Sequence, residues 1–361
     1  MRSAFGRRAV TVQDVARASG VSPATVTRVL RGHPVVRPDT RRRVERAAAS
    51  LGYIPNSIAQ ALATQSTRTV GVLVPSSGDG FWGEVVAAIE NRAAAAEFSV
   101  LLANGHGDDG RERRAIELFL SRRVEGIILT STQSDLKTWY ANAPVPVVRI
   151  NWDLALPDGY IARARRLSIR QLDETAQKLM ADSPFEIVAF DDMAAARELT
   201  EYLLSLGHKD IAFVGLAPRL PSLLRYVGCM MALNDVGLRP VAVVECELTS
   251  EAARSATLSL LSRHSPSAIV AFDDLTAVGV MRGIRASGLS VPGDISVVGF
   301  DDIEFAAFVD PPLTTMGQPK EDLGAQAMSL VLAQSAARKQ GQVHSLPGQL
   351  VVRMSCDHRP Y

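Results

Sequence analysis

Apolar positions near the start of the chain recur at helical spacing in two short runs. Val12, Val15 and Ala16 share one face, Gly20 supplies a sharp turn, and Ser22 stands where it caps a second helix whose Val26, Val29 and Leu30 turn to the same small core. A third helix is predicted from Pro38-Asp39 to Leu51-Gly52. Beyond the polar linker Thr64-Gln65-Ser66-Thr67-Arg68-Thr69 the period changes. Apolar runs at 70–75, 98–103, 126–130 and 147–150 read as buried strands, with helices at 82–96 and 110–122. The alternation resumes with strands at 187–190, 211–215, 241–246, 268–272 and 296–300, helices between them, and a closing strand at 347–353. Alternating strand and helix predict parallel sheets, and this body exceeds one hydrophobic core, so two α/β lobes are expected. Ligands of such sheets sit beyond the carboxyl ends of the strands, here in the cleft between the lobes.

The expected organisation is therefore a helix-turn-helix head at 1–55, a linker segment at 56–69, and a two-lobed body at 70–361. Between Asn151 and the strand at Val188 the chain is longer than a simple link needs, and an insertion is expected at about 155–186. Within it, Ser168-Ile169-Arg170-Gln171 reads as a capping box, and Leu172, Ala176 and Leu179 form one apolar face before Asp182-Ser183-Pro184. An extra amphipathic helix follows from that pattern.

Charge separates the same parts. The first 65 residues hold eleven arginines against Asp14, Asp39 and Glu45, which makes the head +8, while the whole chain is only +1 and the rest is −7. A basic helical module on an acidic body points to nucleic acid as the partner of the head. In a helix-turn-helix the start of the second helix meets base edges in the major groove, so Pro23, Ala24, Thr25 and Arg28 face the DNA. Arg28 is the expected reader of a guanine, because Pro23 and Ala24 offer shape and methyl contact but no hydrogen bond. Arg37, Arg41, Arg42, Arg43 and Arg46 supply charge for phosphates, each neutralised phosphate steepening the salt dependence by roughly 0.9.

The string from Thr11 to Leu30, then Thr40-Arg41, Val44, Ala47-Ala48, Leu51-Gly52-Tyr53 and Pro55-Asn56, resembles the head of the lactose/galactose repressor (LacI/GalR) family, and the likeness continues to the end of the chain. The resemblance implies a body similar to periplasmic sugar-binding proteins, carried behind the all-α head and a hinge helix. It implies backbone contacts for Thr11, Ser22, Thr25, Tyr53 and Asn56, and base reading by Pro23, Ala24 and Arg28. It further implies that Ser57 to Thr64 folds on DNA as a hinge helix paired with its twin in a homodimer, with Leu62 wedged into a base step beside Ala59 and Gln60. Such wedging costs a few kcal/mol and is offset by contacts that bent DNA allows.

Effector positions follow from strand ends together with the resemblance: Phe81, Trp82, Asn151, Arg225, Asp273, Asp301 and Gln318. An arginine with carboxylates and an aromatic platform suits a polyhydroxylated molecule such as a sugar, and equally a purine or an acid. Asn151 stands where the family usually has a carboxylate, and Asp273 where it often has Asn. The expected function is a DNA-binding transcriptional regulator, a repressor acting on a palindromic operator under control of a small molecule. The alternative is a regulator that has lost small-molecule control and answers to a protein partner.

Other classes fit poorly. His33, His106, His208, His264, His344 and His358 are scattered, no hydrolase, metalloprotease or P-loop string is present, and Asp191-Asp192, Asp273-Asp274 and Asp301-Asp302 each end a strand. No enzyme activity, metal or cofactor is expected. Cys229, Cys246 and Cys356 lie in no ligand or disulfide pattern. The Arg-rich start is no signal peptide and no apolar run has the length of a membrane span, so a cytoplasmic protein is expected.

Overall fold

The first helix, α1 (Val12–Ser19), begins at a reciprocal cap: Thr11 Oγ1 accepts from the Asp14 N–H at 3.3 Å, and the Asp14 carboxylate accepts from the Thr11 N–H at 2.9 Å. Two of the N–H groups that a helix start leaves unpaired are thereby satisfied locally. Gly20 ends the helix at φ +69°, a left-handed conformation that a Cβ would penalise. Ser22 then caps α2 (Pro23–Leu30), accepting from Thr25 N–H at 3.2 Å, and α3 (Pro38–Leu51) starts on a proline as well. Val15, Val26 and Val44 are fully buried, with Ala16, Val29, Ala47 and Ala48 closing around them. These small side chains fill the little volume that three short helices enclose.

The protein is described by a computed structural model at residues 10–30, 32–54, 61, 64–130, 143–151, 156–157, 159–181, 186–333 and 341–359. Asn56, Ala59, Gln60 and Leu62 lie outside the described residues, as do the side chains of Ala176 and Leu179. By internal contacts the chain divides into two units, Met1–Thr67 and Arg68–Tyr361.

The second unit opens with β1 (Thr69–Val74), α4 (Gly80–Ala95), β2 (Ser99–Asn104), α5 (Asp109–Ser121), β3 (Gly126–Leu129) and β4 (Val147–Ile150). After α6 (Tyr160–Ala164) and α7 (Ile169–Ala181) come β5 (Glu186–Phe190), α8 (Asp192–Ser205), β6 (Ile211–Leu216), α9 (Leu220–Asp235), β7 (Ala242–Glu245), α10 (Ser250–Leu261) and β8 (Ala268–Ala271). The remainder is α11 (Asp274–Ala286), β9 (Ser296–Asp301), a 3-10 turn (Glu304–Ala307), β10 (Thr314–Gly317), α12 (Lys320–Ala333), β11 (Val343–Leu346) and β12 (Gln349–Val351).

Two six-stranded sheets result, in the orders β2-β1-β3-β4-β5-β11 and β7-β6-β8-β9-β10-β12, parallel throughout except for β12 against β10. The chain passes between the sheets after β5, after β10 and after β11, so the two lobes share three crossings. Helices flank each sheet closely. An added Cβ on Gly228 of α9 would lie 2.2 Å from the Met193 carbonyl oxygen of α8, a distance that backbone cannot relieve without moving the helices apart. The tail differs from the expected closing strand at 347–353. Pro347-Gly348 breaks the run, so β11 completes the first sheet and only Gln349–Val351 pairs with the second.

The segment expected to be an insertion does not interrupt the first sheet, because β4 and β5 on either side of it pair directly, Val148 with Glu186 and Ile150 with Val188. Its helix α7 has the expected cap: the Gln171 N–H donates to Ser168 Oγ at 3.4 Å, and the Ser168 N–H donates to Gln171 Oε1 at 3.0 Å. Leu172 is buried, and α7 packs on α9 of the second lobe. The short helix α6 was not legible in Ala162-Arg163-Ala164-Arg165-Arg166, yet it buries Ile161 and Ala164, and Arg165 pairs with Glu245 at 2.9 Å. Among the described residues no helix is long and apolar enough to cross a membrane.

Candidate functional site

The head presents the exposed start of α2. Pro23, Ala24 and Arg28 are exposed and Thr25 half-buried, its hydroxyl 2.9 Å from Ser22 Oγ. The Arg28 guanidinium makes no ion pair or hydrogen bond among the described residues, whereas Arg17 pairs with Asp14 and Arg42 with Asp39. Thr11 is engaged in its helix cap, and Tyr53 packs partly against the head core. An unpaired, exposed guanidinium in the last turn of α2 can form the bidentate contact that a guanine edge offers.

In the body, a cavity of about 200 Å³ opens between the lobes beyond the strand ends. All seven residues expected there line it: Phe81, Trp82 and Asn151 from the first lobe, Arg225, Asp273 and Asp301 from the second, and Gln318 on a crossing. Phe81 and Trp82 meet edge to face at 4.7 Å and are nearly buried, forming an apolar wall. Asp273 caps α11, accepting from the Thr276 N–H at 2.6 Å. Asp191 caps α8 in the same way through Ala194, at 3.0 Å.

Arg225 is the centre of the second lobe's face. Only 4% exposed, it donates through Nε to Asp192 at 2.7 Å, through one terminal nitrogen to the Phe272 carbonyl at 2.6 Å, and through the other to Asp301 at 3.3 Å. Its plane lies between the rings of Phe272 and Phe300, 4.5 and 4.4 Å from their centroids. The sequence predicts an arginine beside carboxylates among the effector positions. The structure shows one already oriented by two carboxylates and a carbonyl, leaving one N–H on each terminal nitrogen. Asp192 is the residue that sequence reasoning missed as a partner, together with Asp79 and Arg219 on the cavity wall. The signal was present, since Asp192 is the second residue past the end of β5.

Burial pushes the Asp192 carboxyl up to about 6, outweighing the pull of Arg225. Asp273 is also raised, by burial first and the charge of Asp301 second, and burial drives Asp274 well above the usual carboxylate range. A carboxyl raised on folding binds a proton more readily in the native state, so its contribution to stability falls as pH rises from its ordinary value of 3.8 through its raised one. The Asp273→Asn variant keeps the helix cap and removes this charge. Its thermal midpoint should exceed that of the parent at pH 7.5, with the advantage shrinking by pH 5; an advantage equal at both values would contradict the charge argument.

Among the described residues no group of three or more His, Cys, Asp or Glu could hold a metal ion. Burial pushes the Cys229 thiol up to about 11, which suits a packing role.

The chain matches two families of known proteins, "Bacterial regulatory proteins, lacI family" over residues 11–56 and "Periplasmic binding protein-like domain" over residues 200–356. It is 33% identical to catabolite control protein A of Priestia megaterium, over 89% of this chain and 91% of that one. It is 30% identical to the HTH-type transcriptional repressor CytR of Escherichia coli (strain K12), over 98% of each. Among solved structures it resembles the lac repressor dimer bound to operator and the anti-inducer ONPF, with a TM-score of 0.81, 30% identity, and coverage of 96% of this chain and 99% of that one.

Proposed function

Because the chain belongs to the LacI/GalR family of bacterial transcriptional regulators, we propose that it is a repressor whose grip on a palindromic operator is set by a small molecule held between its lobes. It is a regulator and not an enzyme. The observation that carries the effector reading is the built cavity, where an oriented Arg225 and the carboxylates of Asp192, Asp273 and Asp301 converge opposite an apolar wall. Donors and acceptors of that kind beside aromatic edges suit a sugar or a sugar derivative.

In this reading residues 1–55 bind DNA, 56–69 form the hinge, and 70–361 bind the effector and dimerise. Pro23, Ala24 and Arg28 read bases; Thr11, Ser22, Thr25, Tyr53 and Asn56 hold the backbone; Ala59, Gln60 and Leu62 act from the minor groove. A second copy accounts for the exposed apolar side chains of the second lobe, Leu275 (45% exposed) on α11 and Phe305 (57%) and Phe308 (74%) at the 3-10 turn, whose Ile303 N–H donates to Asp274 at the start of α11. A DNA partner places the protein in the cytoplasm. Control by a protein partner instead of a ligand has no observation in its favour.

Thermal unfolding of the full chain against neutral sugars, sugar phosphates, nucleosides and organic acids tests the effector. A ligand at 100 times its Kd stabilises by about 2.7 kcal/mol. Stabilisation by one class, accompanied by a change in operator affinity, is expected. Stabilisation by none, with intact operator binding, would contradict control by a molecule in the cleft.

A further inference from the structure

Asn151, Gln318 and Asp301 are joined across the cleft by an unbroken chain of hydrogen bonds. The Phe190 N–H donates to Asn151 Oδ1 at 2.9 Å, Asn151 Nδ2 donates to Gln318 Oε1 at 3.3 Å, and Gln318 Nε2 donates to Asp301 Oδ1 at 2.6 Å. The same carboxylate oxygen receives Arg225 at 3.3 Å. Asn151 and Gln318 are each 7% exposed, so neither amide exchanges these partners for bulk water.

The direction of the chain is forced from both ends. A backbone N–H only donates, so the atom that Asn151 turns to Phe190 is its oxygen, and its nitrogen faces Gln318. A carboxylate paired with an arginine only accepts, so the atom that Gln318 turns to Asp301 is its nitrogen, and its oxygen faces Asn151. The two requirements meet as a matched donor and acceptor. A carboxylate at 151 would break the match: Gln318 would have to turn its nitrogen to residue 151 and its carbonyl to Asp301, setting two acceptors together.

We propose that Asn151, acting through Gln318, is a specificity-determining residue that fixes the hydrogen-bond polarity of the cleft and so the class of its ligand. With the chain running this way, the remaining N–H groups of Asn151 and Gln318 donate from one side, and the carboxylates of Asp301 and Asp273 accept on the other. A molecule with adjacent neutral hydroxyls satisfies both sides at once, each hydroxyl accepting and donating. A carboxylate or phosphate group brings only acceptors, and its charge meets Asp273 and Asp301 when Arg225 is already shared by Asp192 and Asp301. The inference rests on the cleft being the effector site. The chain also links the β4 and β5 ends of the first lobe to β9 and α9 of the second, so a ligand that completes it touches both lobes.

The test is a mutant cycle in the full-length protein. Asn151→Asp sets acceptor against acceptor, and Gln318→Lys sets donor against donor, because Phe190 holds the Asn151 oxygen. The double variant restores acceptor, donor, acceptor, and the adjoining cavity has room for the extra methylene of lysine. Each single variant should lower the thermal midpoint, and the double should recover most of that loss; additive losses would overturn the proposal without any ligand being known. In the thermal panel the parent should respond to neutral polyols and not to sugar phosphates or sugar acids, and Asn151→Asp should weaken that response about tenfold or more. Stabilisation of the parent by an anionic class would also overturn it, while leaving the regulator reading intact. That reading falls separately, if a stabilising ligand leaves operator affinity unchanged while the cycle shows rescue.

Discussion

In the Arg225→Ala variant the protein loses about 3–5 kcal/mol of folding stability and, with it, the effector response. The guanidinium is buried between two phenyl rings and is the ion-pair partner of Asp192, itself 3% exposed, and of Asp301. Removing it strands two carboxylates and a backbone carbonyl in a poorly solvated cleft, which costs far more than the pair contributes over an apolar replacement. The loss should shrink on acidification, because Asp192 escapes its uncompensated charge by taking a proton. Arg225→Lys should fall between parent and alanine, since an ammonium keeps the charge but cannot reach three partners in one plane. Urea unfolding at pH 7.5 and pH 5.5 checks both statements. A loss under about 1 kcal/mol at neutral pH, the size of an exposed ion pair, would show that the cluster is not the keystone of the cleft.

The second large effect lies in the head. Arg28→Ala should weaken binding to an operator selected from a random duplex pool by about 1–3 kcal/mol, the worth of one bidentate base contact. Binding to unrelated duplex should change little if, as proposed, the side chain that is removed reads a base edge. Arg43→Ala, on the basic third helix, should act differently. It should weaken all duplexes alike and reduce the salt slope by about 1. Titrations at two salt concentrations on both duplexes separate the two behaviours. Equal weakening of operator and random DNA by Arg28→Ala would remove Arg28 from base reading.

How far the chain could be read in advance depends on how local each feature is. Helices α1, α2 and α3 were legible to within a residue or two because Thr11, Ser22, Gly20 and Gly52 mark their ends by bonds and φ values settled within a few positions. The buried strands were legible because parallel strands covered on both faces are apolar throughout, as β6 is at every position. The seven cleft positions came from strand ends and from a family likeness, and they do meet at one cavity. What each side chain does there was not legible. The pairing of Arg225 with Asp192 spans 33 residues, and the link from Asn151 to Gln318 spans 167. No periodicity reports a contact between residues so far apart. The presence of Asn151 where the family usually has a carboxylate acquires a physical reason only when Phe190 and Gln318 are seen to demand an acceptor and a donor from one side chain. Similarly, the amphipathic helix α7 was evident, while its docking on α9 was not, since the sequence shows an apolar face but not what covers it.

The measurement that bears most directly on the whole account is reciprocal. Operator affinity is determined with and without the effector, and effector affinity with and without operator, on the same full-length protein. If the cleft and the head are coupled, the two ratios are equal, and in this class of system lie at about 5–150-fold. A ratio of one in both directions, with ligand bound and operator bound, would contradict the claim that the cleft controls the DNA-reading head.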